Sequence, residues 1–385
     1  TVSPAKQFYY CFSCGAGGNS IKFLMEFTRN NFSDVVLTLA RKNDIEVKTL
    51  NGPQQEDYKR QLTKREALYK VLRISKNWFK SQLNNDRGLF ALEYLKKNRK
   101  LNHSSIDDFE IGYAPNSWTD LYDYLTKVEK FSKEIILEAG LIISKENENK
   151  VYDRFRNRLI VPIFDPQGRV VAFGGRSLDG SEPKYLNSPE SEVFEKGKLL
   201  FAFHKASSNI RKKDRAIVVE GYFDVITLHS KGIINSVASL GTALSKYQIS
   251  QLCRCTDNKN IIINFDSDNA GIAATKRVIS EVESLSLTQQ INLKILQLKN
   301  YKDPDEYLTD NSADDFRNLI DNASFWIDWE LDQIFLNKDI SKAENFQNVV
   351  SSLVKFLSKL TISSTRTHYL QKVSERLSMG QARLA

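Results

Sequence analysis

Short apolar runs alternate with helical stretches in the second half of the chain. Four segments rich in Val, Ile and Leu have the length of strands: AIVVE (216–220), INSVASL (234–240), IIINF (261–265) and LKILQL (293–298). The segments between them have helical spacing, and this alternation predicts a parallel, doubly wound α/β sheet. Such sheets carry their functional groups at the carboxyl ends of the strands.

The flanking segments have other patterns. RLIVPIFDPQGRVVAFGGR, within 151–178, contains two β-rich runs around an Asp-Pro-Gln-Gly turn and predicts a hairpin. Residues 58–100 have helical spacing, and the chain from about 303 to Ala385 predicts helices. The pattern therefore predicts a multidomain chain of α/β and α+β class.

The first 57 residues predict a small domain and a linker. QFYYCFSCGA (7–16) alternates aromatic residues around a Cys-x-x-Cys pair, as in a zinc-ribbon hairpin. KTLNGPQQED (48–57) is polar and contains Asn-Gly-Pro, which predicts a linker. The predicted divisions are the end of a zinc ribbon at 1–47, a linker at 48–57, a basic α+β subdomain at 58–212, an α/β domain at 213–302, and an acidic motif with a helical subdomain at 303–385.

Composition narrows the class of protein. The chain has 385 residues, 41% hydrophobic and 26% charged, which is typical of globular domains. No apolar run approaches the roughly 18 residues that span a bilayer, and no signal peptide is recognisable. The four cysteines form two close pairs rather than a disulfide framework. We therefore expect a cytoplasmic protein without a membrane partner. The net charge of +8 alone only weakly indicates an anionic partner.

Carboxylates follow three of the four predicted strands. Glu220 follows the first, Asp266 and Asp268 follow the third, and Asp303 and Asp305 follow the fourth. Carboxylate oxygens suit Mg²⁺, which takes one or two protein carboxylates beside substrate phosphates. Residues two apart point the same way in extended backbone, so each Asp pair could address one ion. A single Asp after a strand is also an ordinary turn or helix-cap residue.

Three segments carry a family resemblance. VVEGYFDVI (218–226), FDSDNAG (265–271) and DPDEYL (303–308) closely resemble the three acidic motifs of the Toprim domain in bacterial DnaG-type primases, and ASLGT (238–242) matches the loop between the first two. RFRNRLIVPIFDPQGRVVAFGGR and PKYLNSPESEVFEKGKLLF resemble the basic motifs that precede Toprim in these primases. FYYCFSCGAGG resembles the end of their zinc-binding domain.

The resemblance implies an enzyme. It would be a DNA-directed RNA polymerase of the primosome that makes short RNA primers on single-stranded DNA from ribonucleoside triphosphates, leaving an RNA–DNA hybrid. It implies a site for Mg²⁺ or Mn²⁺ formed by Glu220, Asp266, Asp268, Asp303 and Asp305, with the first three catalytic. Glu220 could instead act as general acid or base. Asp224, four residues after Glu220, could cap a helix or bind metal.

Basic residues of the preceding motifs are expected to hold nucleotide and template. Arg154, Arg156 and Arg158 alternate through DRFRNR, which predicts guanidinium groups on one strand face. Arg176 closes FGGR, so a glycine turn can present its guanidinium group together with that strand face. The resemblance adds Lys184, Asn187 and Lys196 to this group.

Two parts of a complete primase are expected to be missing. Cys11 and Cys14 have zinc-knuckle spacing, but a structural zinc needs four ligands. The resemblance implies that a Cys and a His precede Thr1, so we expect an incomplete site and no stable zinc in this chain. The helicase-binding domain is expected to begin about where the chain ends. We therefore expect a fragment that does not contact the replicative helicase.

Two other functions share part of this pattern. Toprim motifs also occur in nucleases and topoisomerases, but no segment resembles a topoisomerase tyrosine site. A catalytically silent DNA-binding module would be expected to lack an acidic motif, and all three motifs are intact here.

Overall fold

The chain forms two compact units in a computed structural model. The first contains 1–98 and 106–195, and the second contains 99–105 and 196–385. The structure describes residues 1–11, 17–28, 32, 35–36, 39–40, 43, 52–145, 150–241, 244–289, 291–360 and 362–382; residues 26, 28, 52–62, 284–289 and 379–382 are described by their backbone alone. The division after 195 lies earlier in the chain than the predicted one after 212.

The first unit combines helices with antiparallel strands. Its helices are α1 (Ser20–Thr28), α2 (Gly52–Leu83), α3 (Leu89–Lys97), α4 (His103–Asp108), α5 (Asp120–Asp123) and α6 (Lys133–Glu138). The first three residues of α4 are assigned to the second unit and the rest to the first. Its strands are β1 (Val2–Ser3), β2 (Phe8–Tyr10), β3 (Gly17–Gly18), β4 (Gly112–Ala114), β5 (Ile142–Lys145), β6 (Lys150–Asp153), β7 (Arg158–Phe164), β8 (Val170–Ser177) and β9 (Tyr185–Asn187). They form the sheets β1-β2-β3, β4-β7-β8-β9 and β5-β6.

The hairpin of β7 and β8 confirms the prediction for 151–178. The strands are antiparallel, with Arg158 opposite Ser177 and Pro162 opposite Phe173. Asp165 closes the turn, because its Oδ1 accepts hydrogen bonds from the backbone N–H groups of Gln167 and Arg169. Gly168 has φ +80°, a conformation that glycine adopts without steric cost.

Helix α2 corrects the predicted linker. The helix begins at Gly52, inside the range 48–57, whose residues 48–51 lie outside the described residues. Pro53 does not break the helix, because N–H groups in the first turn have no acceptor within the helix. Further along α2, Leu72 and Phe79 are fully buried against the sheet, and the Phe79 ring meets that of Phe173 edge to face at 5.3 Å.

The second unit contains the predicted parallel sheet. Its strands are β10 (Ala216–Val219), β11 (Ser236–Ala238), β12 (Asn260–Ile263), β13 (Asn292–Ile295) and β14 (Ser324–Phe325). Its helices are α7 (Phe203–Lys213), α8 (Tyr222–Ser230), α9 (Lys246–Cys253), α10 (Asn269–Gln289), α11 (Pro304–Asp310), α12 (Ala313–Asp321), α13 (Trp326–Phe335), α14 (Ala343–Leu357) and α15 (Ser363–Ala382). The strand order is β11-β10-β12-β13-β14, with the first four parallel and β14 antiparallel.

This strand order makes the sheet doubly wound. The chain leaves β10 for β11 on one side and returns to β12 on the other, so right-handed crossovers place successive helices on opposite faces. Val218, Ile263 and Ile295 are buried in a core that also contains Trp326 of α13 and Leu353 of α14. The C-terminal helices therefore share one hydrophobic core with the sheet.

Within the described ranges, no helix combines the length and the apolar character needed to cross a membrane.

We expect acid to destabilise the fold through two histidines of the second unit. Burial lowers the pKa of His229 and of His204 to about 4. The imidazole of His229 lies 2.9 Å from the carbonyl oxygen of Ser236, to which a neutral Nε2–H donates. Because each folded-state pKa lies below the unfolded value, stability is complete above pH 6.5 and is lost as the pH falls to 4. Each histidine contributes on the order of 1–3 kcal/mol to this loss.

The measurement is urea unfolding between pH 7 and pH 4. His229→Gln keeps a donor for Ser236 but cannot be protonated, so its free energy of unfolding should decline less steeply than that of the wild type. His103→Gln, at an exposed position, is the control and should decline as the wild type does. Equal slopes for all three proteins would contradict this account.

Candidate active site

Parallel pairing brings three loops to one edge of the sheet. Val218 pairs with Ile263, and Ile263 pairs with Ile295, so β10, β12 and β13 end level with one another. Asn264, which is 1% exposed, ties these ends together. Its backbone N–H donates to the carbonyl of Val218 at 2.8 Å, and its side-chain amide donates to the carbonyl of Leu296 at 3.0 Å. The loops that carry the acidic motifs therefore start from a fixed position.

Glu220 and Asp266 are direct neighbours at this edge. The backbone N–H of Asp266 donates to Oε1 of Glu220 at 3.3 Å. Burial, followed by the charge of Asp266, raises the pKa of Glu220 to about 6. Burial also raises the pKa of Asp266. The two carboxyl groups of the first and second motifs are thus held together where water screens their charges poorly.

Asp268 and Asp303 each cap a helix with one carboxylate oxygen. Oδ1 of Asp268 accepts from the backbone N–H of Gly271 at 3.0 Å in the first turn of α10, and this bond lowers the pKa of Asp268. Oδ1 of Asp303 accepts from the N–H of Glu306 at 2.8 Å in α11. Burial nevertheless raises the pKa of Asp303. Asp268 and Asp303 are therefore helix-capping residues, and capping uses one carboxylate oxygen of each.

Lys302 lies between the two aspartates of the second motif. Its Nζ is 3.4 Å from Oδ2 of Asp266 and 3.5 Å from Oδ2 of Asp268. Both carboxylates therefore face one point, although β12 ends at Ile263 and residues 267–268 form a bend, so the convergence does not come from a continued strand.

Asp224 is the most deeply placed carboxyl group of the cluster. It is 7% exposed, and its Oδ2 accepts from the backbone N–H of Gly221 at 3.0 Å, which caps α8. Burial and the charges of Asp303, Asp305 and Asp266 raise its pKa well above the usual range. The sequence left helix capping and metal binding open for Asp224, and the structure shows the capping hydrogen bond.

Asp305 is engaged by an ion pair. Its Oδ2 pairs with Arg99, and its Oδ1 accepts from the hydroxyl of Thr227 at 2.6 Å. The Arg99 guanidinium also lies 4.5 Å from the centre of the Phe223 ring. The expected extended geometry of 303–305 is wrong, because Pro304 is the first residue of α11 and the chain turns helical there.

The negative charge of the acidic cluster suits a divalent metal ion, but its carboxylates do not all surround a single point. Among the described residues, no group of three or more His, Cys, Asp or Glu side chains is arranged to hold a metal ion. Asp266 and Asp268 do share one cation, the Lys302 ammonium. Two carboxylates around one cation match Mg²⁺, which completes its shell with water and phosphate oxygens. The donor set therefore fits Mg²⁺ or Mn²⁺.

Two of the predicted arginines of the first unit stack on aromatic rings. Arg156 lies 4.5 Å from the centre of the Trp118 ring and 5.1 Å from that of Tyr152. Arg176 of β8 lies 4.7 Å from the Tyr94 ring. Cation–π contacts of this kind help to fix the position of a guanidinium group. Nη1 of Arg156 also donates to the backbone carbonyl of Asp153 at 2.5 Å.

The predicted alternation of three arginines on one strand face is wrong. Residues 154–157 belong to no strand, because β6 ends at Asp153 and Asn157 has φ +49° before β7 begins. Arg158 is 5% exposed and donates to the carbonyl of Pro183 at 2.8 Å. Arg154 is partly buried and donates to the carbonyl of Asn187 at 3.1 Å. The side chains of both therefore support the backbone of the hairpin and its neighbour strand.

The remaining predicted residues fall in both units. Lys184 is exposed, with its Nζ 5.9 Å from the Tyr185 ring, and Asn187 lies in β9. Lys196 belongs to the second unit, where its carbonyl accepts from the side chain of Gln248 at 3.0 Å. Cys11 follows β2 and is partly exposed, whereas Cys14 lies outside the described residues.

Comparison with known proteins identifies the family. The chain is 50% identical over its full length to the DNA primase of Synechococcus elongatus, of which it covers 56%. It resembles the crystal structure of a DNA primase domain from Pseudomonas aeruginosa at 35% identity and a TM-score of 0.70, over 80% of this chain and 95% of that one. The chain belongs to the DnaG-type DNA primase family. A DnaG primase catalytic domain bound to ssDNA is similar at 29% identity and a TM-score of 0.69, over 82% of this chain and 99% of that one.

Four family sequence models match successive parts of this DnaG-type chain. They are the CHC2 zinc finger at 1–55, the N-terminal domain of the DNA primase catalytic core at 78–207, a Toprim-like domain at 217–308 and the DnaB-helicase binding domain of primase at 327–382. The last match corrects the expectation that the helicase-binding part is absent. The chain spans 56% and 61% of the length of two curated primase relatives.

Sequence reasoning missed two cations of the acidic site. Lys302 directly precedes Asp303, so its position beside the third motif was available as a signal. Arg99 is 206 residues from Asp305, and nothing in LEYLKKNRKL pairs it with that residue.

Gly271 provides a test of how the second motif is positioned. A Cβ at Gly271 would lie 2.0 Å from the backbone carbonyl oxygen of Asp266, so Gly271→Ala must displace the loop that carries Asp266 and Asp268. We expect a loss of about 1–3 kcal/mol in the free energy of unfolding, the usual cost of overpacking. We also expect weaker Mn²⁺ binding by the metal-free protein.

The matched control is Gly197→Ala, since a Cβ there meets nothing within 4 Å. Chemical denaturation and Mn²⁺ titration by electron paramagnetic resonance measure the two effects. Wild-type behaviour of Gly271→Ala in both would show that the loop tolerates displacement.

Proposed function

We propose that this protein is a primase that synthesises short RNA primers on single-stranded DNA by metal-assisted nucleotidyl transfer. The observation that carries the proposal is the cluster of carboxylates from three loops at one edge of a parallel sheet. The reaction class rests on that cluster, and the RNA product rests on membership of the DnaG-type family. In this reaction a ribonucleotide 3′-oxygen attacks the α-phosphorus of the next triphosphate, and the bond to pyrophosphate breaks.

We infer that Glu220, Asp266, Asp268 and Asp303 hold the divalent ions, with Asp305 in a supporting position. Bound Mg²⁺ or Mn²⁺ would lower the pKa of the attacking hydroxyl and stabilise the leaving oxygens. Oδ1 of Asp268 caps α10, whereas Oδ2 of Asp266 and Oδ2 of Asp268 both face the Lys302 ammonium, which is the position that a divalent ion would take. The ion pair of Asp305 with Arg99 favours a positioning role for Asp305.

Glu220 has properties suited to a second role. Its pKa of about 6 lies close to neutral pH, so the carboxylate could accept the proton of the attacking hydroxyl. Metal ligation and proton transfer make opposite demands on this group, because a bound cation lowers its pKa. We favour ligation, since Asp266 shares its position at the sheet edge.

Arg156 and Arg176 are the side chains we assign to nucleic acid. Each guanidinium lies over an aromatic ring at a partly exposed position, and its planar geometry suits phosphate, whereas Arg158 is 5% exposed and donates to backbone carbonyls. The similar DnaG catalytic domain bound to ssDNA supports template binding by this chain. Lys184, Asn187 and Lys196 are further candidates for contacts with nucleotide or template.

Two additional partners follow from the family matches. Cys11 and Cys14 are proposed as two ligands of a structural zinc, because they lie within the match to the CHC2 zinc finger. Binding of a DnaB-type replicative helicase is proposed for helices α13 to α15, which fall within the match at 327–382.

Primer synthesis tests the catalytic proposal. The assay combines the protein with single-stranded DNA, four ribonucleotides and Mg²⁺ or Mn²⁺. Asp266→Asn should lower the rate by on the order of 100-fold or more, because it weakens binding of the divalent ion that would stabilise charge on the transferred phosphate. Asp310→Asn, at the exposed end of α11, is the control and should keep wild-type activity. The absence of any metal-dependent RNA product from the wild-type protein would refute the proposal.

A pair of arginine variants tests the template assignment. Arg156→Met should weaken binding of a single-stranded oligonucleotide and reduce the salt dependence of log K by about one phosphate contact. It also removes the donor of the Asp153 carbonyl, but at a more exposed position, so it should lower the free energy of unfolding by less than Arg158→Met does. Arg158→Met should lower the free energy of unfolding by about 1–3 kcal/mol, because the carbonyl of Pro183 loses its donor. Fluorescence anisotropy and chemical denaturation separate the two effects. Equal DNA affinity of Arg156→Met and wild type would remove Arg156 from the interface.

A further inference from the structure

The side chain of Lys302 occupies the point that Asp266 and Asp268 share. Its Nζ is 3.4 Å from Oδ2 of Asp266 and 3.5 Å from Oδ2 of Asp268. One ammonium thus bridges two carboxylates that the proposed function assigns to a divalent ion.

The backbone of Lys302 is fixed to both acidic loops. Its N–H donates to Oε2 of Glu306 at 2.6 Å, and its carbonyl accepts from the N–H of Ser267 at 2.9 Å. Ser267 stands between Asp266 and Asp268, and its hydroxyl donates to the carbonyl of Leu298 at 3.0 Å. The stem of the lysine therefore starts from a set position, and only its side-chain torsions are free.

The lysine can leave this position without opening the core. Its side chain is 55% exposed, whereas that of Asp266 is 20% exposed. An exposed ammonium pays little to return to water, and exposed ion pairs are weak. These ion pairs thus hold the Lys302 ammonium between the two carboxylates, but another cation can displace it.

Lys302 is important for the charge balance of the acidic cluster. Arg99 is committed to Asp305 on the other side of the cluster. In the described part of the chain, Lys302 is the cation within salt-bridge distance of Asp266 and Asp268. The attraction is mutual, since the charge of Asp266 raises the pKa of Lys302.

We propose that Lys302 is a tethered cation that holds Asp266 and Asp268 together in the metal-free protein and competes with the divalent ion for them. The inference rests on the proposed metal site and adds a positioning residue to it. An ion that binds must displace the ammonium, so Lys302 sets the metal concentration at which the site fills.

Metal titration of the nucleotide-free protein tests this directly. Lys302→Met keeps the stem and the backbone bonds but removes the charge. We expect it to bind Mn²⁺ about ten-fold more tightly than wild type, since a competing charge about 3.5 Å from both carboxylates is lost. Lys302→Arg keeps the charge and should bind close to the wild-type level.

The matched control is Lys299→Met. Lys299 is exposed in the same loop and forms no ion pair with the described residues, so this variant loses the same charge three residues away. Its Mn²⁺ affinity should stay within two-fold of wild type. Asp266→Asn identifies the site and should abolish the tight binding in both lysine backgrounds.

Thermal unfolding supplies a second measurement. Without metal, Lys302→Met should unfold at a lower temperature than wild type and Lys299→Met, because the carboxylates lose their counter-charge. Added Mg²⁺ should raise its unfolding temperature by more than it raises that of wild type. Equal or weaker metal binding by Lys302→Met would overturn the proposal, as would equal tightening in Lys299→Met.

The outcomes also separate this inference from the primase proposal. If Lys302→Met binds metal more tightly but the wild-type protein makes no RNA, the competition stands and the proposed function fails. If RNA is made and the metal affinity does not change, only the role of Lys302 fails.

Discussion

The level alignment of three parallel strands is the constraint on which the acidic site depends. Pairing of β10, β12 and β13 and the two bonds of Asn264 set the starting points of the three loops. Backbone hydrogen bonds therefore hold like charges together against their repulsion. Burial raises the pKa values of Glu220, Asp266 and Asp224, and repulsion from neighbouring carboxylates adds to each rise.

The chain offsets this repulsion in three ways. Helix amides bind one oxygen of Asp268 and of Asp303, Arg99 pairs with Asp305, and Lys302 bridges the second motif. Each way leaves a different amount of negative charge available. Asp305 is largely neutralised, whereas Asp266 faces a displaceable cation. The acidic residues are thus unequal in role although they look alike in sequence.

Periodicity and motif order predicted most of the architecture. The parallel sheet, the hairpin of β7 and β8 and the edge position of the acidic motifs follow from local patterns of apolar residues, and the structure contains them. The start of α2 was missed because Asn-Gly-Pro permits either a break or a helix start, and only the following residues decide. The prediction that the arginines of 154–158 share one strand face was wrong, because the sequence does not reveal the positive φ of Asn157.

Long-range partners could not be predicted at all. The ring under Arg156 comes from Trp118, and the carboxylate on Arg99 comes from Asp305; neither pair has a local signature. Burial also divides residues of one type. Arg156 and Arg158 are two positions apart, yet the guanidinium of Arg156 is partly exposed over the Trp118 ring and that of Arg158 is buried against backbone carbonyls.

The ion pair of Arg99 and Asp305 lies within the second unit, which is discontinuous in sequence. Residues 99–105 belong to that unit, although the rest of it begins at 196. A gene segment starting at 196 would therefore encode the sheet without the guanidinium that neutralises its third acidic motif. Asp305 would be left as a partly buried charge beside Thr227, with the Phe223 face uncovered. A version of this sheet that starts at 196 would therefore need another cation beside Asp305 to restore the charge balance of its third acidic motif.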